Sequence, residues 1–294
     1  MKDLEQKVIL LTGATDGIGK AAATNLAGRG ASLTIVGRNR AKTGQVLAEL
    51  KARSGNPNLE MIICDLSRNA EVRRAAEEFK SRHDRLDVLI NNAGAVFKSP
   101  ELGPDDLELA FALNHLAGFQ LTTLLLDLIR STPGARVVST SSAMHARGKL
   151  DLQKTPASLE GSGTLAYATS KLANILFTRE LQRRLDGTTA IANCFEPGNV
   201  KSKFGAYGGA DLGWVNNLIY KIGALFAITP EEGADSLIWL ATSPEAGALR
   251  GEYVSKRRPI TPSNQQATDM KLAEQLWELS EKLCQEIAAR TVQE

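Results

Sequence analysis

The chain is poor in the residues that build metal and disulfide sites. It has 3 cysteines and 3 histidines among 294 residues. Cys64, Cys194 and Cys284 are odd in number, far apart and outside any Cys-x-x-Cys pair. That excludes a disulfide scaffold and fits a reducing compartment. His83, His115 and His145 stand at no ligand spacing, so no metal site is expected. Neither sign of charge dominates, because 35 Lys and Arg are interspersed with 33 Asp and Glu, a formal net of +2. Nucleic acids and anionic membranes call for a basic excess or block, and neither is present. Long apolar runs are missing too. No window approaches the roughly 20 apolar residues of a membrane span. The stretch 121–129 is broken by Thr122, Thr123 and Asp127, and the opening MKDLEQK leads only into Val8 to Leu11, too short a run for a signal peptide. These absences predict a cytoplasmic protein with no nucleic-acid or membrane partner.

What is present is an alternation. With 43% hydrophobic residues the chain can bury a sizeable core. β-rich runs fall at Val8–Leu11, Ser32–Val36, Leu59–Cys64, Val88–Ile90, Arg136–Ser139 and Thr189–Cys194, with a weaker one at Glu252–Ser255. Helix-length segments with 3.6-residue periodicity separate them, among them Val72–Phe79 and Leu172–Leu185. Such alternation predicts a parallel sheet covered on both faces, and the unbroken apolar early strands suit burial on both sides. There is no internal repeat or linker. The expectation is an α/β fold: one doubly wound domain over residues 1–294, with about seven strands. A last helix is expected over about 269–289, where Leu272, Leu276, Leu279, Leu283, Ile287 and Trp277 share a face that packs on the domain surface or, alternatively, meets a partner or a membrane.

The first strand runs into Thr12-Gly13-Ala14-Thr15-Asp16-Gly17-Ile18-Gly19 and then a helix-forming Lys20-Ala21-Ala22-Ala23. Gly13 allows a tight turn, Gly17 lets backbone approach a pyrophosphate, and Gly19 lets the helix pack on the sheet. The helix N-terminus offers unpaired N–H groups and positive dipole to phosphate. This is a Rossmann-type dinucleotide site. The end of the second strand selects the dinucleotide. NAD enzymes usually carry Asp or Glu there for the ribose 2′-hydroxyl, whereas this chain has Gly37-Arg38-Asn39. A guanidinium suits a 2′-phosphate, so NADP(H) is expected. NAD(H) stays open, because Arg38 could instead stack on adenine and Asp16 adds a negative charge to the loop.

Tyr167 and Lys171, at i and i+4, share a helix face. A lone pair of this kind is weak evidence. Here it comes with Asn91-Asn92-Ala93-Gly94, Asn114, Ser141-Ser142, Asp65 and Pro197-Gly198. Together with the glycine loop, these residues resemble the short-chain dehydrogenase/reductase superfamily over nearly the whole chain. Within it the chain looks closest to the retinol dehydrogenase-like and WW-domain oxidoreductase-like branch. Asn114-His115-Leu116, the 25-residue step from Ser142 to Tyr167, Gly251-Glu252-Tyr253-Val254-Ser255 and Leu276-Trp277-Glu278 carry that likeness.

The resemblance implies an oxidoreductase that moves hydride between a nicotinamide and a small carbonyl compound or alcohol. Tyr167 is then general acid and base, with nearby Lys171 lowering its pKa. Ser142 orients the substrate oxygen, and Asn114 anchors a relay water. Cofactor binding falls to Gly13, Thr15, Asp16, Gly17, Ile18, Gly19, Arg38, Asn39, Asp65, Leu66, Asn92, Ala93, Gly94, Tyr167, Lys171, Pro197, Gly198, Val200 and Ser202. A substrate lid is expected over about 204–226, apolar enough to suit a lipophilic substrate. Homodimers or homotetramers are common in the superfamily. His115 and His145 are read as locally bonded, Ser141 as structural and Cys194 as an inert core thiol. A non-catalytic NADP-binding sensor and a redox-neutral epimerase or dehydratase are the competing readings.

Overall fold

The computed structural model describes residues 2–200 and 228–291. The expected lid, 204–226, and Ser202 lie outside the described residues. One sheet organises the chain, in the order β3-β2-β1-β4-β5-β6-β7-β8. Its strands are β1 (Val8–Thr12), β2 (Ser32–Gly37), β3 (Leu59–Ile63), β4 (Val88–Asn91), β5 (Arg136–Thr140), β6 (Ile191–Phe195), β7 (Tyr253–Ser255) and β8 (Arg258–Pro259). β1 to β7 pair in parallel and β8 is antiparallel to β7.

Successive strand residues point to opposite faces, and both faces are covered. Ile9 and Leu11 of β1 are buried with Ala22 and Leu26 of α1 (Gly17–Gly28) and Leu50 of α2 (Arg40–Ser54). A later helix, Pro230–Thr242, adds Leu237 and Leu240 to that layer. Leu10 points the other way, into a layer that includes Val72 and Phe79 of α3 (Asn69–Lys80). The run through the middle of this second layer is α4 (Leu109–Phe111), a π-turn (Ala112–Leu116), α5 (Ala117–Leu124) and α6 (Leu126–Ser131). It is completed by α7 (Gly163–Leu185), α8 being the Pro230–Thr242 helix of the first layer, and by α9 (Met270–Thr291).

The eighth strand departs from the expected seven. It is two residues long and returns from β7 through Lys256 and Arg257, both at positive φ (50° and 59°). Two such residues form the tight hairpin turn normally signalled by Asn-Gly, and a Lys-Arg pair gives no such signal. Tertiary bonds hold it instead. The Arg257 guanidinium grips Asp235, with Nε donating at 2.7 Å, and Arg257 N donates to Ser236 Oγ at 3.0 Å. β6 also starts later than the apolar pattern suggests: the Ala190 N–H is taken by Thr188 Oγ1, and the Thr189 hydroxyl accepts from Gly134 N in the turn before β5.

The C-terminal helix packs mainly along α7. Its buried side is Ala273, Leu276, Trp277, Ser280, Cys284 and Ile287, so small and polar residues join the apolar row and Leu279 sits at its shoulder. Trp277 meets Phe119 edge-on, with centroids 4.9 Å apart, and stacks on Phe177 at 5.9 Å. The Arg184 guanidinium lies 4.4 Å from the Trp277 ring, a cation–π contact. Trp277→Ala should cost about 3–5 kcal/mol of folding stability. Urea unfolding checks this, and a loss below about 1 kcal/mol would mean that α9 is a dispensable cover.

Candidate active site

β1 is flanked by β2 on one side and β4 on the other, so the strand order reverses beside it. Ligands of doubly wound sheets bind at that switch point, outside the carboxyl ends of the strands. The glycine loop lies there. Gly13 takes φ of +70°, open to glycine at little cost. A Cβ on Gly19 would stand 2.1 Å from the Gly13 carbonyl oxygen, so only glycine lets α1 start this close to the turn. Asn92 fastens the loop from behind: its Nδ2 donates to Thr12 O (3.2 Å) and Gly13 O (3.3 Å), and its Oδ1 accepts from Thr140 Oγ1 (3.2 Å). The N–H groups of Asn92 and Ala93 both donate to Thr12 Oγ1 at 3.0 Å. Asn92 and Ala93 therefore tie β1, β4 and β5 together at the crevice floor.

The rim beside β2 carries the charge. Asp16 caps α1, its Oδ1 accepting from Gly17 N at 2.8 Å, and its Oδ2 meets Lys42 Nζ at 3.2 Å. The negative charge in the loop is thus already countered. Asn39 caps α2 by accepting from Lys42 N at 2.9 Å. Arg38 is exposed and makes no hydrogen bond or ion pair among the described residues. Thr15 and Ile18 are half-buried on the loop. Beyond β3, Asp65 Oδ1 accepts from Ser67 N and Oγ, at 3.0 and 2.7 Å, while Leu66 packs against the core. After β6, Pro197 and Gly198 lead to Val200, which bridges to Ile228 in parallel fashion.

The polar residues expected to react converge on one side of this crevice. Ser142 follows β5, Asn114 lies in the π-turn, and Tyr167 and Lys171 project from α7. The Ser142 hydroxyl acts to lower the pKa of the Tyr167 phenol. Burial nevertheless dominates at Tyr167 and pushes its phenol up to about 12. Lys171 is 1% exposed, and its Nζ donates to the Thr140 carbonyl oxygen at 3.0 Å. Burial pushes its ammonium down to about 7. Nζ lies 5.5 Å from the Tyr167 ring centroid. The expected lowering of the phenol is thus outweighed here by desolvation of both groups.

Asn114 spends its side chain on protein. Oδ1 accepts from Ala95 N at 2.8 Å, and Nδ2 donates to Ala95 O and Ser170 Oγ, each at 3.0 Å. It therefore straps the loop after Gly94 to α7. Ser141 is structural, its Oγ donating to Lys171 O at 2.9 Å. His145 is locally bonded, as read: Nδ1 donates to Ser142 O at 2.7 Å. Cys194 is fully buried, and burial pushes its thiol up to about 12.

Sequence reasoning missed two groups. Asn174 lies three residues beyond Lys171 on the same helix, and its Nδ2 donates to Asn114 O (2.9 Å) and Thr140 O (3.1 Å). Its i+7 spacing from Tyr167 was the available signal. Tyr253 and Glu196 form the other: the Tyr253 hydroxyl donates to Glu196 Oε2 at 2.9 Å and lies 3.2 Å from His145 Nδ1, behind Ser142. No sequence spacing joins residues 196 and 253.

The family profile described as short chain dehydrogenase matches residues 7–211. Human retinol dehydrogenase 14 is 37% identical over 291 residues, covering 94% of this chain and 85% of its own length. Human polyprenol dehydrogenase is 37% identical over 281 residues, with 93% and 84% covered. The crystal structure of a short chain dehydrogenase from Burkholderia cenocepacia J2315 in complex with NADP superposes with a TM-score of 0.68 at 25% identity, covering 85% of this chain and 96% of that one. The chain belongs to the short-chain dehydrogenase/reductase family, in its retinol dehydrogenase-like branch. No helix among the described residues is long and apolar enough to cross a membrane, and no cluster there could hold a metal ion.

The buried lysine gives a pH signature. In the unfolded chain Lys171 keeps its proton to an ordinary pKa near 10.4, whereas the folded, cofactor-free protein releases it at about 7. Between those values the unfolded state holds more protons, so rising pH stabilises the folded state. From about pH 7.5 to about pH 9.5, unfolding free energy should climb relative to Lys171→Met by up to about 1.4 kcal/mol per pH unit. A pH-independent difference in urea titrations would contradict the buried, unpaired ammonium.

Proposed function

We propose that the protein is an NADP(H)-dependent oxidoreductase that interconverts a lipophilic aldehyde or ketone and its alcohol. The observation that carries this reading is Tyr167 and Lys171 side by side on α7, with Nζ 5.5 Å from the phenol ring, set with Ser142 next to the strand ends where the glycine loop opens.

The residues present fit a dinucleotide. The N–H groups at the start of α1 face a pyrophosphate site. Asp65 and Leu66 suit the adenine; Asn92, Ala93 and Gly94 suit the path towards the nicotinamide. Lys171 suits the nicotinamide ribose, and Pro197, Gly198, Val200 and Ser202 suit the carboxamide end. Arg38, without a partner among the described residues, supports the 2′-phosphate, and Lys42 is held in an ion pair by Asp16. The same ion pair removes the objection raised by Asp16. The NADP complex of the Burkholderia relative points the same way.

When bound, the nicotinamide supplies or takes up the hydride. The chain's own residues handle the proton and the oxygen. Ser142 Oγ donates to the substrate oxygen and fixes its direction. A phenol held at about 12 is protonated at neutral pH, ready to give its proton to that oxygen in carbonyl reduction. The phenolate left behind is stabilised by the Lys171 ammonium. A lipophilic substrate is supported by the names of the retinol and polyprenol relatives. The exposed Leu159 and Leu165, on and just before the first turn of the helix that bears Tyr167, support it too.

A screen of NADPH oxidation over aldehydes and ketones graded in chain length tests the substrate class. Activity confined to short polar carbonyls would overturn it. Tyr167→Phe should lower turnover about 100-fold or more while NADPH still binds in a fluorescence titration. Substantial retained turnover removes Tyr167 as the acid. Arg38→Asp should move the preference from NADPH towards NADH, and an unchanged ratio of kcat/KM values would sink the 2′-phosphate assignment.

A further inference from the structure

His115 lies in an apolar cage. It is 1% exposed, with ring centroids of Phe111, Phe119 and Phe177 at 5.1, 6.3 and 6.1 Å. Yet both ring nitrogens have polar partners. Nδ1 lies 3.3 Å from Asn174 Oδ1, and Nε2 lies 3.1 Å from Ser280 Oγ on α9. Asn174 in turn faces two backbone carbonyls, those of Asn114 and Thr140. Thr140 O is also the oxygen that holds Lys171 Nζ.

Donor and acceptor counting leaves one arrangement. Carbonyl oxygens only accept, so Asn174 must present its NH₂ to Asn114 O and Thr140 O. Its Oδ1 then faces His115, so His115 Nδ1 must carry the proton. Burial pushes this imidazole down to about 4, which keeps it neutral, so Nε2 is bare. A bare Nε2 needs a donor, and the Ser280 hydroxyl is the one in reach. That hydroxyl also donates to Leu276 O at 2.8 Å, so its proton is shared between the carbonyl oxygen and Nε2. The opposite tautomer would turn the Asn174 oxygen onto both carbonyls, placing oxygen against oxygen at about 3 Å.

We propose that His115 is a positioning residue for Lys171: its protonated Nδ1 holds Asn174 Oδ1 and so locks the Asn174 amide in the orientation that donates to Thr140 O and Asn114 O, with Ser280 on the last helix steadying the far side of the ring. The fixed Thr140 carbonyl then holds the ammonium in line with Tyr167. The π-turn contributes as well, because it is the segment that brings the Asn114 carbonyl to Asn174. The assignment rests on the reading of Lys171 and Tyr167 given above.

Two substitutions separate positioning from packing. His115→Leu fills the apolar cage but has no donor. His115→Asn packs worse, yet its NH₂ falls near the place of Nδ1–H and can donate to Asn174 Oδ1. With decanal and NADPH, His115→Leu should lose about tenfold or more in kcat and shift the alkaline limb of the pH profile, whereas His115→Asn should stay within about threefold of wild type. The reverse order, Leu tolerated and Asn damaging, would show that the residue only packs. A second readout needs no turnover. In ¹⁵N spectra of the unliganded protein, the signals lost in His115→Asn should report a protonated Nδ1 and a bare Nε2 between about pH 6 and pH 8. A protonated Nε2 there overturns the proposal. If Tyr167→Phe keeps its turnover, the catalytic reading falls while this tautomer result still stands on its own.

Discussion

A lysine ammonium buried without a carboxylate is the constraint on which the rest of the site depends. Burial alone accounts for the displacement of Lys171, and one backbone carbonyl, Thr140 O, is its hydrogen-bond partner among the described residues. A paired carboxylate would stabilise the charge more strongly, but it would also keep the proton fixed. A carbonyl satisfies the donor geometry and leaves the charge near the point of titration. The position of that carbonyl then matters, and the polar groups nearby are spent on it. Thr140 closes β5, its hydroxyl donates to Asn92, and its oxygen is shared by Lys171 and Asn174.

The same economy shapes the dinucleotide crevice. Asn92 belongs by position to the crevice, but its hydrogen bonds go to the loop behind it. Asn114 is similar: its amide bonds to Ala95 and Ser170, and its carbonyl to Asn174. Side chains that read as binding residues along the chain thus act first as clamps, joining β1, β4, β5 and α7 at one point. Clamps of this kind fix the side chains around them in one arrangement.

Most of the fold and most of the site were legible from residue order, because the signals were local. Strand-turn-helix spacing marks the glycine loop, the period of 3.6 puts Tyr167 and Lys171 on one face, and apolar runs mark β1 to β5 within a residue or so at each end. What was not legible depended on tertiary partners. The Lys256–Arg257 turn has neither glycine nor asparagine, and is held by Asp235 and Ser236. The direction of the Tyr167 shift depends on how deeply the phenol is buried, which spacing cannot report. Ser280 interrupts the apolar stripe of α9, and its partner lies on a distant helix.

The docking of α9 has a consequence for the order of folding. His115 and Ser280 are 165 positions apart, and they meet only after the last helix has come to rest on α7. Contacts so remote in sequence form late, because loop entropy must be overcome before they contribute. The sheet and the glycine loop can be in place while the environment of Lys171 is still unfinished. The polar surroundings of Lys171 are therefore complete only in a chain whose final helix is docked.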